Sequence, residues 1–210
     1  MTMRIAVAIS GRGSNLEALL RAVDQDDSAQ IVLVLSNRSD SGGLSLARGR
    51  QIPTEVLADP ADAKEWLALL NAGGIDLVVL AGYLKLVPAE VIAAYRGRIV
   101  NIHPALLPAF GGKGMFGARV HEAVLASGAT ESGATVHLVD EVYDHGSVLA
   151  QMRVPVLPGD TADRLAARVL EVEHRLLPAV VLAAAKAGRP VAVDSQLVTR
   201  DLPAHEGRAH

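Results

Sequence analysis

The chain contains no cysteine among its 210 residues, which excludes disulfide bonds, thiolate metal sites and cysteine nucleophiles together. It also has no surplus of positive charge, because 20 Lys and Arg residues stand against 23 Asp and Glu residues, for a net charge of −3 at pH 7. The basic residues are scattered, so no surface that binds nucleic-acid backbone is expected. A small-molecule partner is favoured instead.

Long apolar runs and a secretion signal are missing as well. The apolar stretch at residues 180–185 is short and follows a proline, so no membrane span is expected. The first residues lead directly into a β-type segment, without the charged start and cleavage site of a signal peptide. We therefore expect a cytoplasmic protein. With 50% hydrophobic residues, residues 1–210 are expected to form a single domain.

The order of patterns along the first half predicts an α/β fold with a doubly wound, mostly parallel, Rossmann-like sheet. Apolar β-branched runs alternate with helical patterns, as in parallel sheets with crossover helices. Predicted strands cover residues 4–10, 31–36, 54–57, 75–81 and 99–102, and predicted helices cover residues 15–23, 43–50, 62–71 and 89–95. The continuous apolar character of residues 77–81 indicates a central strand covered on both faces.

The pattern changes after residue 102. A glycine-rich segment at residues 110–117 precedes a predicted helix over 120–127, and two alternating runs at 134–139 and 148–156 predict a C-terminal antiparallel hairpin. A long helix is predicted after residues 159–160, with Asp160 or Thr161 as its cap, and Pro178 is expected to kink or divide it. The last twenty or so residues are expected to be loosely ordered.

The first predicted strand leads into a glycine-rich turn and then directly into a helix. Free backbone N–H groups and the helix dipole favour an anion at such a place, and glycine lets a ligand approach the backbone. A capping box of Ser14 with Glu17 is the simpler interpretation, but capping alone requires neither two glycines nor an asparagine. The turn therefore predicts a phosphate site made of Gly11, Arg12, Gly13, Ser14 and Asn15.

A dinucleotide is the alternative ligand for this turn. The dinucleotide fingerprint requires a third glycine where this chain has Leu16, and an acidic residue where it has Asn37 and Arg38. The pattern argues against NAD. Because Arg38 is able to meet a 2′-phosphate, NADP stays open as an alternative.

Asn101 and His103 are expected to form part of a second polar site. Pro104 favours extended geometry at His103, and the β pattern makes Asn101 and His103 project from one face. Ligands of doubly wound sheets bind beyond the carboxyl ends of the strands, where this pair falls. A structural role for His103, in which it only caps the strand, is the competing interpretation.

Four segments, residues 10–15, 80–86, 101–108 and 140–151, resemble the motifs of the phosphoribosylglycinamide formyltransferase family. The similarity runs over nearly the whole chain. The Asn-x-His-Pro-x-Leu-Leu-Pro string is typical of the wider superfamily that uses 10-formyltetrahydrofolate, and the Gly-x-Gly-Ser-Asn turn is typical of the glycinamide ribonucleotide branch. The methionyl-tRNA formyltransferase and the formyltetrahydrofolate hydrolase of that superfamily carry an extra domain, so the chain length disfavours them.

The resemblance implies formyl transfer from 10-formyltetrahydrofolate to the amine of 5-phosphoribosylglycinamide in de novo purine biosynthesis, without a metal. It assigns catalysis to Asn101, His103 and Asp144, and the amine end of the substrate to Glu173. Asp144 is expected to raise the pKa of His103. In this interpretation residues 1–100 form a phosphate-binding half and residues 101–210 a catalytic and folate-binding half. The implied folate contacts are Lys64, Leu84, Lys85, Leu86, Val87, Asn101, Asp140, Glu141, Val142, Tyr143 and Asp144.

Several alternatives accompany this interpretation. The chain is open to being a formyltransferase for another amine, such as a nucleotide-linked amino sugar, or a nucleotide- or folate-binding module without chemistry. His121, His137, His145 and His174 are too dispersed to predict a metal site, and His137 is interpreted as structural. We expect a monomer or a homodimer.

Overall fold

The computed structural model describes residues 2–194, which form one seven-stranded sheet with helices on both faces. The strands are β1 (Met3–Ile9), β2 (Ala29–Ser36), β3 (Thr54–Val56), β4 (Leu77–Leu80), β5 (Ile99–His103), β6 (Glu131–Leu138) and β7 (Val148–Pro155). The helices are α1 (Ser14–Val23), α2 (Gly42–Gly49), α3 (Ala63–Ala72), α4 (Ala89–Ala94), α5 (Ala118–Ala126) and α6 (Ala162–Ala187).

The strand order is β3-β2-β1-β4-β5-β6-β7. Strands β1 to β5 pair in parallel, and β6 and β7 continue the sheet as antiparallel strands. The predicted fold, a mostly parallel sheet followed by an antiparallel hairpin and a long helix, is therefore confirmed. The carboxyl ends of β1, β4 and β5 lie side by side, which places the loops after these strands at one edge of the sheet.

Alternate residues of the central strands enter two separate cores. In β4, Leu77 and Val79 belong to the first core, and Val78 and Leu80 belong to the second. Helices α1, α2, α5 and α6 pack on the first core, whereas α3 and α4 pack on the second. The all-apolar strand that the sequence predicted is thus covered on both faces, as expected for a parallel sheet.

Helix α6 follows the predicted cap but not the predicted division. The Thr161 side chain accepts a hydrogen bond from the Arg164 backbone N–H at 3.3 Å, so Thr161 is the cap. Pro178 lies inside an undivided helix. The expectation that Pro178 divides the helix is wrong, because the residues around it, among them Leu177 and Val181, are fully buried in the first core and hold both halves on the sheet.

The predicted loose order of the chain end falls mainly on residues 195–210, outside the described residues. Between residues 2 and 194, we find no helix with the length and apolar character that crossing a membrane requires.

Candidate active site

A cleft of about 770 Å³ opens at the carboxyl edge of the central strands. Its walls come from the turn after β1, the loop after β4, the end of β5, the β6–β7 loop, and helices α5 and α6. Both predicted halves of the chain therefore line it. We call this cavity the central cleft.

The predicted phosphate turn forms one end of the central cleft. Gly11, Arg12, Gly13, Ser14 and Asn15 all line it, and α1 begins at Ser14 with the residue before it, Gly13, as N-cap. No side chain caps this helix, so the capping-box interpretation does not account for the turn. The first N–H groups of α1 are available to an anion.

The backbone of the turn is held by the start of α2. Gly13 has a φ of 86°, a left-handed conformation that favours glycine. The Gly43 N–H and the Ser41 hydroxyl both donate to the Gly11 carbonyl, at 3.2 and 2.7 Å. A Cβ atom at Gly13 would lie 2.6 Å from the Gly43 Cα. The sequence indicated glycine here for a ligand, and the structure adds a packing reason.

A buried contact joins the phosphate turn to α6. The Asn15 amide donates to the Glu173 carboxylate at 2.9 Å, across 158 residues of sequence. Both residues line the central cleft. Burial raises the pKa of Glu173, although the hydrogen bond from Asn15 opposes this shift. The residue predicted to meet the amine end therefore lies directly beside the predicted phosphate site.

Asn101, His103 and Asp144 all line the central cleft. His103 Nδ1 lies 3.5 Å from Asp144 Oδ2, and the same carboxylate oxygen accepts a hydrogen bond from the Gly112 N–H at 2.9 Å. The Asp144 side chain is 10% exposed and that of His103 is 4% exposed. The structure thus brings together a carboxylate, an imidazole and an amide, the first two of them almost fully buried.

The tautomer of His103 follows from its neighbours. Nε2 lies 2.8 Å from the Phe110 carbonyl oxygen, which only accepts, so Nε2 carries a hydrogen and donates. In the neutral ring Nδ1 is then unprotonated and faces Asp144. A proton that arrives at Nδ1 is attracted by the carboxylate 3.5 Å away.

The expected effect of Asp144 on the His103 pKa is present, but it does not set the direction of the net shift. Burial lowers the pKa of His103, and although Asp144 and the Phe110 carbonyl raise it, they do not compensate. For Asp144, burial alone would raise the pKa, but the contacts with His137, His103 and the Gly112 N–H together outweigh it and the pKa lies below its ordinary value. The pair therefore holds a neutral imidazole beside an ionised carboxylate at neutral pH.

His137 is a site residue that the sequence analysis missed. It lies opposite Asn101 in the β5–β6 pairing, and its Nε2 is 3.1 Å from Asn101 Nδ2 and 3.5 Å from Asp144 Oδ1. Its Nδ1 is 2.7 Å from the Leu138 carbonyl and therefore donates. In the neutral ring Nε2 accepts from Asn101, which orients that amide and leaves its second N–H for the cleft.

His137 had been interpreted as structural because it lies within a strand. The position of His137 opposite Asn101 depends on the register between β5 and β6. The sequence of one strand by itself does not predict that register.

Most of the predicted folate residues lie at the central cleft. Exposed apolar side chains flank it, with Leu84 at 49% and Val142 at 59% exposure. Two residues lie elsewhere: Lys64 is exposed in the first turn of α3, and Glu141 forms an ion pair with Arg96 at 2.8 Å. Their folate contacts stay predictions. Those that line the cleft are Leu84, Lys85, Leu86, Val87, Asn101, Asp140, Val142, Tyr143 and Asp144.

Two further expectations concern metals and NADP. Within the part of the chain that the structure describes, no cluster of three or more His, Asp or Glu side chains is arranged to hold a metal ion. Arg38, which kept NADP open, forms an ion pair with Asp40 at 2.8 Å and does not line the central cleft.

Comparison with known proteins gives consistent matches. The sequence profile of the formyl transferase family matches residues 3–181. The chloroplastic phosphoribosylglycinamide formyltransferase of Arabidopsis thaliana is 47% identical over 186 residues, which cover 85% of this chain and 64% of that protein. The chain thus spans slightly less than two thirds of that relative's length.

Two solved structures of bacterial phosphoribosylglycinamide formyltransferases are also similar. The one from Anaplasma phagocytophilum has a TM-score of 0.83 at 38% identity and covers 89% of this chain and 88% of its own. The one from Brucella melitensis has a TM-score of 0.79 at 44% identity and covers 92% of this chain and 99% of its own.

Proposed function

We propose that this chain, which belongs to the formyl transferase family, transfers a formyl group from 10-formyltetrahydrofolate to the amine of 5-phosphoribosylglycinamide in purine biosynthesis. One observation carries the proposal beyond the family. The phosphate turn and the cluster of Asn101, His103 and Asp144 line the same central cleft. A substrate whose phosphate binds at the phosphate turn therefore has its amine directed toward Asn101, His103 and Asp144.

The phosphate of the amine substrate binds at the start of α1. The unpaired N–H groups of residues 13–15 and the positive end of the helix dipole attract the dianion. Glu173 and its partner Asn15 lie next along the cleft, where a neutral part of the substrate follows the phosphate. Because its pKa is raised, Glu173 suits a substrate group that donates or accepts hydrogen bonds and carries no negative charge.

The folate binds against the loops after β4 and between β6 and β7. The apolar side chains Leu84, Leu86 and Val142 are exposed and offer surface to its ring system. Lys64 and Glu141 lie outside the cleft lining. As parts of this proposal they contact a portion of the folate that extends beyond the cleft.

The reaction forms one C–N bond and breaks another. The neutral amine nitrogen attacks the formyl carbon, the carbonyl oxygen becomes an oxyanion, and the bond from that carbon to N10 of the folate then breaks. The proton that the amine loses ends on N10, so the proton count balances. No co-reactant beyond the two substrates is required.

Three side chains divide the work of this step. The free N–H of the Asn101 amide stabilises the oxyanion, and the hydrogen bond to His137 holds that amide in place. His103 accepts a proton at Nδ1, where Asp144 stabilises the resulting imidazolium. Because burial lowers the pKa of His103, the ring releases this proton readily, as transfer to N10 requires.

The proposal includes the setting of the enzyme. Residues 1–210 act as one domain, as a monomer or a homodimer, with two small molecules as the partners and no metal. The reaction takes place in the cytoplasm.

Turnover measured with purified protein, 5-phosphoribosylglycinamide and 10-formyltetrahydrofolate tests the proposal. We expect the folate absorbance to change only when both substrates are present.

Asn101→Ala should lower kcat on the order of hundredfold, since one oxyanion donor is lost. A nucleotide-linked amino sugar in place of the first substrate should give no reaction. Turnover with the amino sugar but not with 5-phosphoribosylglycinamide would overturn the proposed substrate. An unchanged kcat in Asn101→Ala would overturn the role of Asn101.

A further inference from the structure

His121 lies in the central cleft, and the mechanism above does not use it. It belongs to α5, is 5% exposed, and lines the cleft. Across residues 2–194 no side chain or backbone group bonds either ring nitrogen, and only Nδ1 is buried, so Nε2 is the nitrogen that a ligand is able to reach. The mechanism leaves the hydrogen-bonding capacity of a buried side chain unused.

An unpartnered buried imidazole is unfavourable, since nearly all buried polar groups in folded proteins are hydrogen-bonded. Because the ring of His121 lines the central cleft, a ligand group is the natural partner of Nε2.

The position of α5 decides which substrate this is. Val124 of α5 belongs to the first core, together with Leu16 of α1 and Leu165 of α6. The phosphate turn opens α1, and Glu173 lies on α6, so His121 shares their face of the sheet. The loop after β4 leads instead to α4, which packs on the opposite core. His121 therefore lies on the amine-substrate side of the cleft.

The charge state of the His121 ring indicates which groups of the substrate it is able to contact. Burial, and to a smaller degree the nearby His103, lower the pKa of His121, so the imidazole is neutral at neutral pH. A neutral ring offers one donor and one acceptor, which suits hydroxyl and amide groups better than a phosphate dianion. The substrate carries such groups between its phosphate and its amine.

We propose that His121 is a binding residue for the phosphorylated amine and forms a hydrogen bond with its ribose or amide portion. This inference rests on the proposed function. The contact complements Glu173 from a different helix. It fixes the substrate between the phosphate turn and the reacting carbon.

Steady-state kinetics of two variants test the contact. In His121→Leu we expect the KM for the phosphorylated amine to rise about tenfold, as for loss of one hydrogen bond to a neutral group, while the KM for the folate stays within about twofold. His121→Gln, whose amide reaches the position of Nε2, should restore most of the loss. Binding of the phosphorylated amine alone, measured by calorimetry, should weaken in parallel with KM.

His174 provides the matched control. It is a partly buried histidine whose Nε2 also lacks a partner, but it does not line the central cleft. His174→Leu should leave both KM values unchanged, and thermal unfolding of each variant reports on folding. An unchanged amine KM in folded His121→Leu, or equal effects on both substrates, overturns the inference. Absence of turnover in the unsubstituted protein overturns the proposed function instead.

Discussion

Burial and charge oppose each other at His103, and burial prevails. The ring is almost fully enclosed, which disfavours the imidazolium, while the carboxylate 3.5 Å away favours it. Two opposing influences on one proton allow the histidine to take up and release it in a single reaction cycle. Asp144 itself has a φ of 56°, in the left-handed region that aspartate adopts more readily than most residues.

The influence of Asp144 on His103 is measurable directly. Asp144→Asn removes the negative charge but keeps the size of the side chain, so the pKa of His103 should fall further below its ordinary value. The sign follows because the lost interaction is one that raises the pKa. NMR titration of the ¹⁵N-labelled imidazole rings gives the value in each protein.

Asp59→Asn is the control for this titration, because Asp59 is exposed and lies outside the cleft lining. It should leave the His103 titration unchanged. A pKa of His103 that is higher in Asp144→Asn than in the unsubstituted protein would contradict the charge interaction.

At the scale of elements, the phosphate turn depends on two helices. Helix α1 supplies the N–H groups that face the cleft, and the start of α2 holds the turn from behind through the Gly11 carbonyl. Gly13 fits between them without a side chain. Any substitution there disturbs folding and binding together.

Gly13→Ala should therefore have two effects. Its Cβ would lie 2.6 Å from the Gly43 Cα, at a φ of 86°, so the free energy of unfolding should fall by about 1–3 kcal/mol. The shifted turn should raise the KM for the phosphorylated amine at least about tenfold. Denaturant unfolding and steady-state kinetics measure the two changes.

Gly49→Ala is the matched substitution in α2, since a Cβ there meets no atom within 4 Å. It should leave the KM unchanged and should not lower the stability. If Gly13→Ala left the KM for the phosphorylated amine unchanged, the turn would not be the phosphate site.

At the scale of the whole molecule, one sheet couples two cores. Each central strand sends alternate side chains into the first and the second core. We therefore expect the two cores to lose their packing together. Trp66, the only tryptophan of the chain, is fully buried in the second core, with its ring 5.5 Å from that of Tyr83. Its fluorescence reports on that face of the sheet.

Leu77→Ala tests the coupling, because Leu77 is fully buried in the first core. The free energy of unfolding should fall by about 2–5 kcal/mol, as for other buried leucines. Far-ultraviolet circular dichroism and Trp66 fluorescence should shift together to the same lower midpoint. Leu157→Ala, at a position 48% exposed, should change stability by less than about 0.5 kcal/mol. A Trp66 transition that stayed at its original midpoint would show that the cores unfold separately.

The sequence by itself determined the features that depend on neighbouring residues. Alternation and helical spacing predicted the parallel strands and their crossover helices, because these periods record which face of each element is buried. The same local geometry predicted the phosphate turn and the pairing of Asn101 with His103. Asp144, Glu173 and the folate contacts came from family resemblance, since spacing alone assigns them no role.

Only the tertiary structure decided the contacts between distant segments. The register of β6 against β5 brought His137 to Asn101, and the packing of α6 on the sheet brought Glu173 to Asn15 across 158 residues and kept the helix continuous through Pro178. Enclosure by these elements lowered the pKa of His103 despite Asp144. Burial and register depend on how whole elements pack together, and no local pattern along a chain records that.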